Sequence, residues 1–301
     1  LEDVDLKDGD EPIKDELDGL IITQPRKDYS DKELRRIDEF VMKGNKSLVV
    51  IASAVTLKPQ DPQMDAQLST HNLDKLLAGY GVNMKKNAVM DFGAQFAIIV
   101  PTQTGQITQI RHPGIAHVVA DPRMDKGQEL LDPTFAGFFR MQELAFPFPS
   151  SLEILKDKQP AGVEIKAVAR STPETSTAEG ESFDMKLKTR WEPKPPMAQQ
   201  VIAATVKGKL KSAFAGQKDE SVPAPEEAAQ PSRILVISSS LFLTNPFAYA
   251  GNGQELGGQF QMMGSIGGDP TLQAIANPYA QRYLNNTIIA VKNILDWMTG
   301  D

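Results

Sequence analysis

Residues 18–52 read DGLIITQPRKDYSDKELRRIDEFVMKGNKSLVVIA, and this stretch decides the fold. Asp18-Gly19-Leu20-Ile21-Ile22-Thr23 is an apolar run too short for a helix and is closed by Gln24-Pro25, which predicts a buried strand ending at a turn. Ser30 stands three residues before Glu33, the spacing of a capping box, in which each side chain satisfies a backbone N–H that the helix start leaves free. Leu34, Ile37, Phe40 and Val41 then share one helical face. Lys43-Gly44-Asn45 stops the helix with a basic last turn and residue types suited to positive φ. Ser47–Ala52, SLVVIA, is a second apolar run. A strand, a capped helix and a strand spaced this tightly predict a βαβ unit with a right-handed crossover.

Working outward, helix and strand signals alternate. A Pro- and Gln-containing loop, Lys58–Met64, leads to a helix around Leu73–Ala78, stopped by Gly79-Tyr80-Gly81, and to the apolar pieces Val82–Met84 and Val89–Asp91. Residues 95–119 hold two apolar pieces around the polar Thr102–Thr108, the pattern of a hairpin or a long loop. Phe135, Phe138, Phe139, Phe146 and Phe148 gather near Pro147 and Pro149, and Phe-Pro-Phe-Pro reads as extended and stiff. Those rings are expected at a core edge more than at an interface. Val163–Arg170 alternates as a half-buried strand does, and Gln200–Lys207 and Arg233–Ser239 are further strands. Segments 171–181 and 216–232 are polar and are expected as flexible loops. Gly251–Gly268 is glycine-rich, and Asn285–Trp297 predicts an apolar helix packed on the sheet. The chain as a whole reads as one α/β domain over 1–301, with a possible small subdomain at 95–200.

Composition removes several classes of function. With 32 Lys plus Arg against 39 Asp plus Glu, the net charge of −7 leaves no basic footprint for nucleic acid. The absence of cysteine excludes thiolate nucleophiles and cysteine-bound zinc or iron–sulfur sites, and it suits an oxidising compartment. No stretch reaches the roughly 18–20 apolar residues needed to span a bilayer. The chain opens at Leu1 without an initiator Met and stops at Asp301 directly after an apolar helix, so flanking segments are expected beyond it.

The residues that could carry chemistry do not assemble into a recognised motif. His71, His112 and His117 lack the i, i+4 spacing of a helical zinc site. Asp121, Asp125 and Asp132 lack the ligand order of an EF-hand. Gly251-Asn252-Gly253 and Gly257-Gly258 have no following Lys to neutralise a phosphate. Ser238-Ser239-Ser240 lacks the glycines of a nucleophile elbow, so a polar strand end is the expected role. No cofactor and no metal are predicted. Open α/β sheets bind ligands at the carboxyl ends of their strands. The predicted ligand or partner surface is therefore Gln24, Pro25, Arg26 and Lys27 after the first strand, with Ser238, Ser239, Ser240 and Asn245 after the last.

A family resemblance runs along the chain. Asp18–Ile22 followed by Pro25, then Tyr29–Leu34, Ile37–Val41 and Lys43–Lys46, resemble the auxiliary component of gliding-motility-type ABC transport systems, with Asn45 standing where a second Gly is common. Leu76–Val82, Val89–Asp91, Ser232–Ile237, Ser240–Asn245 and Asn285–Trp297 continue the match in the same order. The resemblance implies an α/β fold in which a mostly parallel sheet is flanked by helices. That is the class I glutamine-amidotransferase-like (flavodoxin/Rossmann-like) layer, with inserted β-hairpin or loop elements. Amidotransfer is not carried over, since it needs a Cys nucleophile. The resemblance further implies a non-enzymatic, membrane-anchored protein on the periplasmic or extracytoplasmic face of the inner membrane. Its partners would be an ABC permease and an ATPase subunit, reached through transmembrane segments outside this chain, and an unidentified solute is a further candidate ligand. Two rival readings are a serine hydrolase or carbohydrate-directed enzyme, using Ser239 or Ser240 with His112 or His117, and a pure protein-assembly module.

Overall fold

The computed structural model describes residues 2–57, 65–101, 107–121, 123, 124, 128–185, 190–217, 222, 225–243 and 270–300; of 98–101, 107, 108, 270–277 and 280 it describes the backbone alone. The predicted loop at Lys58–Met64 and the glycine-rich Gly251–Gly268 lie outside the described residues, as do Asp125, Asn245 and parts of 216–232.

The opening unit forms as its local signals dictate. Strand β1 (Gly19–Ile22) leads to helix α1 (Asp31–Met42) and to strand β2 (Ser47–Ile51), which pairs parallel with β1 from Gly19↔Ser47 to Ile22↔Val50. Ser30 and Glu33 make both bonds of the capping box. The helix ends one residue earlier than its basic last turn required: Met42 is the final residue and Lys43 the C-cap. Gly44 follows at φ +82°, where a Cβ would lie 2.4 Å from the Gln230 backbone nitrogen, so conformation and space both require glycine there. Leu48 and Val50 face the α1 side of the sheet, and Val49 and Ile51 face the other side, so all five residues of β2 are buried.

Beyond this unit the expected architecture is overturned. Among the described residues strands hold 34% and three α-helices 21%, and the strands fall into several mixed and antiparallel sheets, which is not a mostly parallel, helix-flanked, flavodoxin- or Rossmann-like layer. The largest sheet runs β1-β2-β15-β14-β10-β5, with β11 also on β14; here β5 is Val82–Met84, β10 Leu152–Ile154, β11 Glu164–Arg170, β14 Val201–Gly208 and β15 Ser232–Ile237. Only the β1-β2 and β2-β15 pairs are parallel; every pair from β15 outward is antiparallel. The reason lies in the connections. A parallel neighbour needs a crossover of a dozen or more residues, usually helical, and between β2 and β15 the described chain offers only helix α2 (Leu73–Gly79), seven residues long. The rest of the described stretch makes strands, and those that enter the large sheet pair antiparallel.

Three smaller sheets use those strands. Val55–Leu57 (β3), Asp65–Leu68 (β4) and Ser182–Asp184 (β13) form one; Ala88–Asp91 (β6) and Thr175–Ala178 (β12) form a second. The third joins β7 (Gln95–Pro101), β8 (Ile107–Val119) and β9 (Glu143–Pro147), so the expected hairpin at 95–119 is present. Segment 171–181, expected to loop out, instead carries β12, with Ser171, Thr175 and Ser176 buried. Four of the five clustered phenylalanines, Phe135, Phe138, Phe146 and Phe148, are core; Phe139 is exposed. Phe148 departs from the stiff extended reading, because its φ is +50°.

Helix α3 (Pro270–Thr299) is longer than its apolar signal at Asn285–Trp297. Ala290, Ile294 and Met298 pack with Val49 and Ile51 on the face of the sheet opposite α1. The Ser47 hydroxyl donates to Met298 O at 2.7 Å and Arg233 Nη1 donates to Trp297 O at 2.6 Å. Carbonyls that the helix end leaves unpaired are thus satisfied at the amino ends of β2 and β15.

Candidate functional site

The carboxyl ends of the three parallel strands bring Gln24, Ser53 and Ser238 together. The Gln24 side chain grips one residue of its neighbour: Nε2 donates to Ser53 O at 3.1 Å and to Thr56 Oγ1 at 3.1 Å, while Oε1 accepts from Ser53 N at 2.9 Å. Ser53 Oγ donates to Phe148 O and accepts from Val55 N, each at 2.9 Å, and lies 3.0 Å from Ser150 Oγ. Ser150 Oγ accepts from Ala54 N at 2.7 Å and from Ser238 Oγ at 3.1 Å. Ser150 N reaches Ser238 O and Ser238 Oγ, both at 3.2 Å. The Ser239 hydroxyl donates to Pro147 O at 2.6 Å. Ser53, Ser150, Ser238, Ser239 and Ser240 are all buried. Ser240 Oγ has no partner among the described residues.

The place where an open parallel sheet presents its crevice is therefore filled by the chain itself. Residues 147–150 run across the strand ends, and Phe148 takes its positive φ with its carbonyl on Ser53 and its N–H on Gly114 O at 2.7 Å. A bulky residue at positive φ is strained, and here hydrogen bonds on both sides hold it.

The histidines are engaged elsewhere. His112 Nδ1 accepts from Gly114 N at 3.1 Å, which leaves Nε2–H to donate to Met185 O at 2.9 Å, and the ring packs edge-on to Phe148 and Trp191. His117 Nε2 lies 2.6 Å from Glu143 Oε2, and Arg282 reaches the same oxygen at 3.2 Å. His71 Nδ1 meets Asp28 Oδ1 at 2.9 Å. Among the described residues no hydrogen bond joins Ser239 or Ser240 to His112 or His117. Asp121 pairs with Arg123 and Asp132 with Lys166, and no group of three or more potential metal ligands occurs among the described residues.

The other half of the predicted surface opens outward. A cleft of about 590 Å³ runs beside β1, the edge strand of the large sheet. Leu17, Val4, Leu6 and Ile37 wall it on the α1 side, and Leu295 and Met298 of α3 wall it on the other. Asp18 lies at its amino end and Gln24 and Pro25 at its carboxyl end, with Arg26 and Lys27 exposed just beyond. Tyr29 also lines it; burial, reinforced by the Glu33 charge, pushes its phenol above the ordinary range, so it remains a neutral hydroxyl.

Of the residues predicted from sequence, Gln24 and Pro25 line this cleft, Gln24 is joined to Ser53, Ser238 to Ser240 are interior, and Asn245 lies outside the described residues. Sequence reasoning missed Ser53, which follows β2 by two residues and carried the same positional signal as Ser238. It also missed Ser150 and Met298, for which no local signal exists.

Among the described residues no helix is long and apolar enough to cross a membrane. No curated protein and no solved structure matches the chain. The family model of the ABC-type uncharacterized transport system matches residues 1–266. The chain belongs to that family of ABC transport auxiliary components.

Proposed function

We propose that this member of the ABC-type uncharacterized transport system family is a non-catalytic auxiliary component that works by contact, and that the cleft beside β1 is its contact surface. One observation carries the reading. The serine-rich strand ends, where a catalytic or solute site would be sought, are buried and bonded to the chain's own groups, whereas the β1 cleft has apolar walls on both sides, polar residues at its ends and an open mouth. Its partner is then a permease or ATPase subunit of the transport system, as in gliding-motility-type systems. The acidic, cysteine-free composition supports a place on the extracytoplasmic side of the membrane.

The test co-expresses the full-length gene product with candidate ABC permease and ATPase subunits from the same source. Membrane fractionation and co-purification are expected to recover the protein with a transport subunit. Thr23 and Thr299 are exposed residues lining the cleft, so Thr23→Trp and Thr299→Trp should abolish that recovery with the fold intact. A freely soluble protein without such a partner, or capture unaffected by both substitutions, would falsify the reading.

A further inference from the structure

The backbone of β1 is half used. Ser47 N–H donates to Asp18 O, and in a parallel ladder this register turns the N–H and C=O groups of Leu20 and Ile22 toward β2. Those of Gly19 and Ile21 then point away from the sheet, into the cleft, as do those of Thr23 just beyond. β1 pairs with β2 alone, and no hydrogen bond to the outward groups of Gly19, Ile21 or Thr23 occurs among the described residues. An edge of this kind is a template for another strand.

Resting on the contact reading above, we infer that the cleft takes an extended peptide segment of the partner, which adds to β1 as an eighth strand of the large sheet. The walls fit such an occupant. Side chains of an added strand alternate between the two faces of a sheet, so one set meets Leu6 and Leu17 and the other meets Leu295 and Met298. Charge selects the ends. Asp18 at the amino end of β1 and Arg26 and Lys27 past its carboxyl end are exposed and take part in no ion pair among the described residues. They match a segment that is basic at one end, acidic at the other and apolar at alternate positions between. Pairing of β1 with the β1 of a second copy does not fit, because that strand lies on the floor of the same recess and cannot reach in.

The probe is a fluorescein-labelled octapeptide of alternating Val and Thr with Lys at one end and Glu at the other, titrated into the full chain by fluorescence anisotropy. Two further octapeptides carry N-methyl groups on alternate residues, one on each set; this removes hydrogen bonds from one edge of the peptide at a time without altering the protein. The parent is expected to saturate and to slow amide exchange at Gly19 and Ile21 by about tenfold or more; one methylated set should bind at least about tenfold more weakly and the other like the parent. Absence of saturation at about millimolar peptide, or equal binding by the two methylated sets, overturns strand addition. The two readings fail separately. If no octapeptide binds yet Thr23→Trp still abolishes capture of the transport subunit, strand addition is wrong and the contact reading stands. If Thr23→Trp and Thr299→Trp both leave capture unchanged, the contact reading itself falls and strand addition falls with it as the basis of function.

Discussion

The two ends of the parallel ladder that the sequence marks as functional behave oppositely. At β15 the hydroxyls of Ser238 and Ser239 are spent on Ser150 and Pro147, and the surface is sealed by residues 147–150. At β1 the strand has no outer neighbour among the described residues, and apolar side chains from three separate segments of chain stand back from it to leave a cleft. Polar residues after a strand are thus ambiguous. They border a cleft where the sheet edge is open, and they satisfy a crossing backbone where it is closed.

The contrast can be broken by substitution. The largest effect is expected at the closed end. Ser150→Ala removes the acceptor for Ala54 N and the partner of Ser238, which leaves buried polar groups unpaired, at about 1–3 kcal/mol for the first group lost. A drop of about 3 kcal/mol in urea unfolding would establish the serines as structural, and a change below about 0.5 kcal/mol would sink that account.

Gln24→Ala lies where the two regions meet. Gln24 is half-buried, its loss frees the backbone N–H and C=O of the buried Ser53, and about 1–2 kcal/mol is expected from the same measurement. At the open end, Thr23→Trp and Thr299→Trp should shift stability by no more than about 0.5 kcal/mol, as surface changes do, while blocking partner capture. A fluorophosphonate probe sharpens the same comparison, since the folded protein should label neither Ser239 nor Ser240; stoichiometric labelling of either would place an active nucleophile at the end described as sealed.

The smallest effect concerns pH. The hydrogen bonds of the closed end run between serine hydroxyls, a glutamine amide and backbone groups, none of which titrates, whereas the cleft includes Tyr29, whose raised pKa comes first from burial and then from Glu33. A phenol raised in the folded state favours folding below its unfolded pKa of about 10 and loses that contribution as pH rises through the higher folded value. Tyr29→Phe should therefore reduce the fall in stability above pH 10, read from unfolding curves at pH 9 and pH 11. Identical pH dependence in the two proteins would remove Tyr29 from the account.

Much of the opening unit was legible because its signals are local. Ser30 and Glu33 cap the same turn they sit in, and Gly44 is needed where it stands. The fold class was not legible. A buried apolar run such as Gln200–Lys207 reads alike whether its neighbours run parallel or antiparallel, and only the pairing of β14 with β15, β11 and β10 distinguishes them. The surroundings of the candidate residues were not legible for the same reason: Gln24 and Ser238 announce strand ends, but nothing near either says whether Phe148 or open solvent lies above it.

The sequence by itself determined the β1–α1–β2 unit and the family, because helix caps, turn glycines and collinear motifs act over a few residues each. Only the tertiary structure decided which strand end is closed and which is open. That outcome depends on Ser150 meeting Ser238 across 88 positions and on Met298 reaching Ser47 across 251, separations over which no residue's own preference carries information about its neighbour.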